Sequence, residues 1–275
     1  MTTPLVTAKD IADYHENGAV LIRNVLSAEA VGAFVEALDA VLARQTQTQR
    51  IGPNAVFVKQ GGSLFFEFLS RDLPFFAGFL KQSAVASVVS QLLELDEVQF
   101  WRDEVHYKEA GSSSNGTPWH HGIASIPFKG EQTPTVWLPM TAVSEDASPL
   151  QTIAGSHRHQ SVRYRPPTRR ETTALNRGYE DTPDFDTLIT EGGLEVRTWT
   201  AQAGDAVIFH PYTVHGAPPN ASGRRRIAYV SRWMGEEAIY QPDEYSTVDP
   251  WLDPATMIVD GRPSRTWFPP FPARR

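Results

Sequence analysis

Apolar positions recur at helical spacing near the start of the chain and at strand spacing further on. Thr7-Ala-Lys-Asp10 has the form of a capped helix start, and Gly18 supplies its stop. The short apolar run Ala19-Val-Leu-Ile22 follows as a strand. Ser27 then caps an amphipathic helix with Val31, Phe34, Val35, Leu38, Val41 and Leu42 on one stripe. Val85, Val88, Val89, Leu92 and Leu93 repeat the helical spacing in a further helix beginning at Ser83. These segments predict a mainly helical start, a layer covering about residues 1–96.

From Val98 the period changes. Short runs rich in β-branched and aromatic residues alternate with Gly, Pro, Asn and Ser clusters, and they predict strands. The clearest are Val98–Lys108, Thr135–Met140, Leu150–Ala154, Leu194–Thr200, Asp205–Phe209 and Arg226–Trp233. Many short strands after a helical start predict a mainly β fold with added helices, an antiparallel sandwich or barrel with helices packed outside. The barrel would span about residues 97–235 and a tail 236–275, all in one domain over 1–275. Ser161–Asp186 is polar and proline-containing and reads as a long loop. The stretch between His157 and Leu194 is the candidate lid.

Charge and composition narrow the function classes. The formal net charge of −7 supplies no strong positive field for nucleic acid or an anionic membrane, and Arg169-Arg170 and Arg224-Arg225-Arg226 are short clusters. With no cysteine, neither disulfides nor a thiolate metal site can form. The N-terminus has no apolar signal core and the chain no run of about 18 apolar residues, so a cytoplasmic location is expected.

Candidate chemistry lies with the histidines. His15, on the polar face of its helix, and His157 and His159, in a turn-like Gly-Ser-His-Arg-His stretch, read as structural or solvent-facing. Two other contexts differ. Trp119-His120-His121-Gly122 follows a polar turn, and Gly204–Phe209 leads through His210-Pro-Tyr to His215-Gly-Ala. Arg226 stands eleven residues beyond His215 and opens a strand. Two imidazoles and a carboxylate on one face suit an open iron(II) site. A buried arginine suits the far carboxylate of a dicarboxylate cosubstrate. Two histidines alone also leave room for a zinc enzyme on a cupin-like barrel, although catalytic zinc usually has three protein ligands. No Gly-x-Ser-x-Gly and no phosphate-cradling glycine loop occurs.

Thr117-Pro-Trp-His-His-Gly, Thr135-Val-Trp137-Leu-Pro-Met, Gly155-Ser-His-Arg158, Gly204-Asp205, His215-Gly-Ala and Arg226 together resemble, in order and spacing, the phytanoyl-CoA dioxygenase (PhyH) family of iron(II)- and 2-oxoglutarate-dependent oxygenases. The likeness runs from about Val98 to Trp233. It implies a double-stranded β-helix, the jelly-roll or cupin-like barrel, with an N-terminal helical layer. It implies His120 and His215 as iron ligands, and Arg226 for the distal carboxylate of 2-oxoglutarate, with Arg225 as the alternative one register away. It further implies O2 as co-reactant and a small-molecule substrate, which the family draws from acyl thioesters, amino acids, alkaloids and terpenoids. Trp137 reads either as a pocket wall or as core.

The resemblance breaks at one position. The family's motif carries an aspartate two residues after the first histidine, where this chain has Gly122. Related non-haem iron halogenases also have glycine or alanine there, and chloride binds iron in the space left free. Halogenation of an aliphatic C–H bond is therefore the leading expectation. A hydroxylase or desaturase with a surrogate third ligand is the second. Glu104, His106 and Lys108 alternate along one face of their strand, and Glu104 or His106 would be that ligand. His121 is a poor one, because neighbouring strand residues point to opposite faces. Oxidation with two histidines and water or an outside carboxylate, and a non-catalytic ligand-binding relative, complete the alternatives.

Overall fold

The structure, a computed structural model, describes residues 6–44, 49–159, 163–164, 179–243, 245–246 and 248–272. The chain opens with α1 (Ala8–Asn17), β1 (Ala19–Ile22), α2 (Ala28–Leu42) and three strands, β2 (Gln49–Arg50), β3 (Val56–Gln60) and β4 (Ser63–Glu67). Helices α3 (Leu69–Asp72), α4 (Pro74–Gln82) and α5 (Val85–Leu92) lead into the long strand β5 (Glu97–Lys108). Then come β6 (Thr117–His120), β7 (Phe128–Lys129), β8 (Thr135–Pro139), β9 (Leu150–Ile153), β10 (Arg163–Tyr164) and β11 (Tyr179–Glu180). They are followed by α6 (Phe185–Thr190), β12 (Val196–Trp199), β13 (Ala206–Phe209), β14 (His215–Ala217) and β15 (Arg226–Met234). The C-terminal segment adds β16 (Ile239–Tyr240), α7 (Pro254–Met257), β17 (Ile258–Val259), β18 (Arg262–Pro263) and β19 (Pro270–Pro272).

The capping chemistry appears as expected. Thr7 and Asp10 form a reciprocal capping box, and Gly18 closes α1 with φ 77°. Ser27 accepts from the Ala30 N–H at the start of α2. Ser83, however, ends α4 rather than opening the next helix, which begins at Val85.

Two antiparallel sheets form the barrel. The large one runs β1-β13-β8-β15-β5-β4-β3-β2, with β19 also on β5, and the small one runs β12-β9-β14-β6. This is a double-stranded β-helix. Strand alternation gives each wall of the large sheet two characters. Val105, Ile227, Tyr229 and Trp233 face outward into a core shared with the helices, where Phe34 meets Phe76, Phe79 and Tyr229 at 4.9–5.3 Å between ring centroids. Trp137, Val207, Phe209, Ala228 and Val230 face inward and pack with Leu150 of the small sheet. Arg102, Glu104, His106 and Lys108 of β5 and Arg226 and Arg232 of β15 share that inner side.

The helical start holds α1 to α5 as expected, but it also carries strands that the helical reading left out. Gly61 and Gly62, at φ 54° and 73°, turn β3 back onto β4, and this hairpin extends the large sheet beyond β5. Two aromatic or β-branched runs flanking Gly-Gly are the hairpin signal in the sequence. The tail contributes strands of its own, since β19 joins the large sheet and β16 pairs with β7. The candidate lid lies partly outside the described residues, as do Arg169-Arg170. Its described part covers the outer face of the small sheet. Phe185 packs against Ile153 and Val214, and Trp119 donates to Asp186 at 2.9 Å. Among the described residues no helix is long and apolar enough to cross a membrane.

Candidate functional site

His120 ends β6 and His215 opens β14, and the register of these strands sets the two residues directly opposite each other. Their ring centroids lie 4.2 Å apart. Each ring is oriented by its own backbone. Nδ1 of His120 lies 2.8 Å from the Pro118 carbonyl, and Nδ1 of His215 lies 2.8 Å from the Thr213 carbonyl. A carbonyl only accepts, so both Nδ1 atoms carry the proton and both Nε2 atoms are left as lone pairs. Burial lowers the pKa of both rings, and each is lowered further by nearby positive charge, so both are neutral at pH 7. Two neutral imidazoles with free Nε2 atoms are what a divalent metal requires.

Arg226 lies across the inner face of the large sheet. It is 3% exposed, its Nε has no partner, and its remaining contacts are long: the His106 carbonyl at 3.4 Å and Ser148 Oγ at 3.3 Å. Trp137 forms the wall beside it, 5.6 Å from the guanidinium carbon to the ring centroid. Burial without a carboxylate pushes this arginine down to about 10. Arg225 faces the other way and pairs with Asp39 at 2.6 and 2.8 Å. The register is thereby settled in favour of Arg226 as the inward arginine.

Gly122 begins a buried 3₁₀ turn, Gly122–Ala124. Its φ is not positive, and a β-carbon there would meet Arg232 Nη1 and Ile126 Cδ1 at 3.5 Å and the Pro211 carbonyl at 3.9 Å. Those are ordinary van der Waals distances. Neither backbone conformation nor crowding requires a glycine here. Its space opens towards the Arg232 guanidinium.

Glu104 and His106 do share the inner face with Lys108, as alternation predicts. Glu104 is nevertheless already engaged. Arg102 and Arg232 lie 3.2 Å from its Oε1, and His106 Nε2 lies 2.8 Å from its Oε2. Although burial opposes ionisation, these cations hold the carboxyl well below the usual carboxylate range. Among the described residues no group of three or more His, Asp or Glu side chains comes together to hold a metal ion. The expected third-ligand role of Glu104 or His106 is therefore not what this geometry provides. His121 points away from the pair, and its Nε2 accepts from the Tyr164 N–H at 2.8 Å, fixing β10.

Sequence reasoning missed Arg232, Ser148 and Asp249. Arg232 was findable, since it stands six residues after Arg226 and an even interval keeps the same strand face. Ser148 and Asp249 carry no comparable local signal.

The fold is shared with solved structures of low sequence identity. One is SnoK, a non-heme alpha ketoglutarate dependent carbocyclase from nogalamycin biosynthesis, with 19% identity, TM-score 0.71, and 96% of this chain and 95% of that chain covered. Another is the epimerase SnoN in complex with Fe3+, alpha ketoglutarate and nogalamycin RO, with 18% identity, TM-score 0.68, and 93% and 94% covered. A third is EctD from S. alaskensis with 2-oxoglutarate and 5-hydroxyectoine, with 16% identity, TM-score 0.68, and 90% and 81% covered. No curated protein matches the sequence. The profile described as Phytanoyl-CoA dioxygenase (PhyH) matches residues 14–228, a span that holds both facing histidines and the buried arginine, and the chain belongs to that family of enzymes.

Proposed function

We propose that this protein is an iron(II)- and 2-oxoglutarate-dependent oxidoreductase acting on an aliphatic C–H bond of a small molecule, with halogenation as its outcome. The first part rests on the family, on the iron and cosubstrate named for its structural neighbours, and on the fit of this chain's own residues. His120 and His215 would hold the metal through their free Nε2 atoms. Arg226, buried and without a counter-ion, would take the far carboxylate of the cosubstrate against the Trp137 wall. Iron(II), 2-oxoglutarate and O2 supply the oxidising power for breaking the C–H bond. The protein orients the ligands and keeps bulk water away from them.

The halide reading is carried by one observation: the side-chain space at Gly122 is free without conformational need and faces Arg232 Nη1. The family's aspartate would bring one negative charge to the metal. With two neutral imidazoles, that charge must come from elsewhere, and a halide in a space bordered by a guanidinium restores it. Arg232 also supports retention of a small anion there, because its Nη1 donates to no described residue.

The test is spectroscopic. Iron(II) and 2-oxoglutarate are added to the protein under argon, with and without chloride, and the weak visible charge-transfer band of the chelate is recorded. A band that moves with chloride supports halogenation. A band insensitive to chloride overturns it and leaves hydroxylation or another oxidation. No band and no retained iron overturns the oxidoreductase reading in favour of a ligand-binding relative.

A further inference from the structure

Lys129 lies on β7 and is 4% exposed. Burying an ammonium is costly unless it is paired and hydrogen-bonded, and here it is both. Its Nζ donates to the Ile123 carbonyl at 2.8 Å and lies 3.2 Å from Asp243 Oδ2. Ile123 is the middle residue of the Gly122–Ala124 turn. Its N–H donates the other way, to the Pro211 carbonyl at 3.0 Å, on the loop that leads from β13 to His215. One residue of the turn is thus tied on one side to the chain approaching His215 and on the other to a buried lysine.

Asp243 completes the clamp. Its Oδ1 accepts from the Tyr245 and Ser246 N–H groups, each at 3.1 Å, and the buried Tyr245 packs on Ala124 of the same turn. Its Oδ2 also lies 3.6 Å from Arg163 Nη1 at the start of β10. Core filling alone does not call for a lysine at this place. Burial pushes the Lys129 pKa down and the Asp243 carboxylate opposes that shift. An apolar side chain would avoid the desolvation, but it would leave the carbonyl of Ile123, a fully buried residue, without its donor.

We infer that Lys129, held by Asp243, is a positioning residue for the Gly122 site: through the Ile123 carbonyl it fixes the turn that keeps the space beside the two histidines open towards Arg232. This rests on the halide reading above and adds to it the residue that sets the shape of that space. Lys129 touches neither histidine. Their rings are oriented by the Pro118 and Thr213 carbonyls, so iron and cosubstrate binding do not depend on the clamp.

Two measurements on the full chain test this. The first is hydrogen exchange of the metal-free protein, read on a peptide covering Gly122–Ser125. Lys129→Met should speed exchange there by about tenfold, the scale of one lost buried hydrogen bond, and leave peptides of β8 and β15 as in the parent. The second is a chloride titration of the charge-transfer band in the iron(II) and 2-oxoglutarate chelate under argon. Chloride affinity should weaken by about tenfold or more in the variant, the scale seen when a group that orients a metal site is removed. Iron and 2-oxoglutarate should bind within about threefold of the parent. If Lys129→Met exchanges faster throughout the chain, Asp243→Asn decides. It keeps an acceptor for Tyr245 and Ser246, removes the charge beside Lys129, and should move both readings in the same direction by a smaller factor. Faster exchange in the turn with unchanged chloride affinity makes Lys129 a structural residue only and overturns the inference, as does weaker chloride binding with an unchanged turn. A parent that responds to chloride while its variants match it in both readings overturns this inference alone. A parent indifferent to chloride overturns the halide reading and this inference with it.

Discussion

Asp249, from the C-terminal segment, accepts a hydrogen bond from Arg102 at 2.7 Å, and that arginine lies 3.2 Å from Glu104 on the wall of the histidine cavity. The same carboxylate accepts from Trp101 Nε1 at 2.9 Å. A segment that reads as a tail in sequence therefore braces the floor of the site. Asp249→Asn leaves Arg102 buried with a weaker set of partners, and it should cost about 1.5–3 kcal/mol, the scale of a hydrogen bond to a charged group. Urea denaturation measures this. Iron retention should be unchanged, because neither facing histidine touches the network.

Gly122→Ala and Gly122→Asp separate shape from charge. The β-carbon of alanine meets its nearest neighbours at 3.5 Å, so the alanine variant should unfold within about 0.5 kcal/mol of the parent and keep its response to chloride. Aspartate brings a carboxylate beside Arg232 and the histidine pair. It should raise iron affinity and make the charge-transfer band indifferent to chloride. A chloride response retained in the aspartate variant would place the halide elsewhere.

Arg226→Met should act in opposite directions on binding and on stability. Removing the buried partner of a carboxylate typically costs about 2–5 kcal/mol, so the dissociation constant for 2-oxoglutarate should rise by about 30-fold or more. The ligand-free protein should melt higher than the parent, since a buried cation without a counter-ion has been replaced by an apolar side chain. Thermal unfolding with and without the dicarboxylate reads both effects.

What could be read beforehand follows the range of the contacts involved. His120, His215 and Arg226 were legible because motif spacing and strand alternation are local, and the alternation that aligned Glu104, His106 and Lys108 also reaches Arg232. What faces Gly122 was not legible, because it depends on β15 crossing beside β6 some 110 residues later in the chain. Ser148 gains its role only when the loops carrying Ser148 and Pro218 meet, and Asp249 only when the C-terminal segment folds back onto β5. The β3–β4 hairpin is a different kind of miss, since Gly61-Gly62 announced it locally and the helical pattern on either side outweighed it.

His210 makes stability fall in acid. It is 5% exposed, its Nδ1 accepts from the Tyr212 N–H at 3.3 Å, and burial pushes its pKa down to about 3. The folded protein holds this ring neutral, while the unfolded chain protonates it below about 6.5. Its contribution is therefore fully present above that pH and is lost as the pH falls towards 3. At pH 5 the loss is about 2 kcal/mol, 1.36 for each unit below the unfolded pKa. His210→Asn keeps an acceptor near Nδ1 and removes the titration. The difference in unfolding free energy between pH 7.5 and pH 5 should shrink by about that amount.

Glu104→Gln decides between an anion at Gly122 and a carboxylate ligand from the protein. Glu104 is ionised and shared between Arg102, Arg232 and His106. If it serves only to balance those cations, its neutral isostere leaves iron binding as it was. Arg232 then loses the carboxylate that draws on its charge, and its guanidinium is left with the space beside Gly122, 3.5 Å from the β-carbon position. Chloride should bind the iron and 2-oxoglutarate chelate more tightly in this variant, by several-fold in a titration of the charge-transfer band. Should Glu104 instead rotate onto the metal when iron is loaded, the variant loses iron on gel filtration and its band no longer resembles that of the parent. That outcome would make Glu104 the third ligand and remove the reason for a halide.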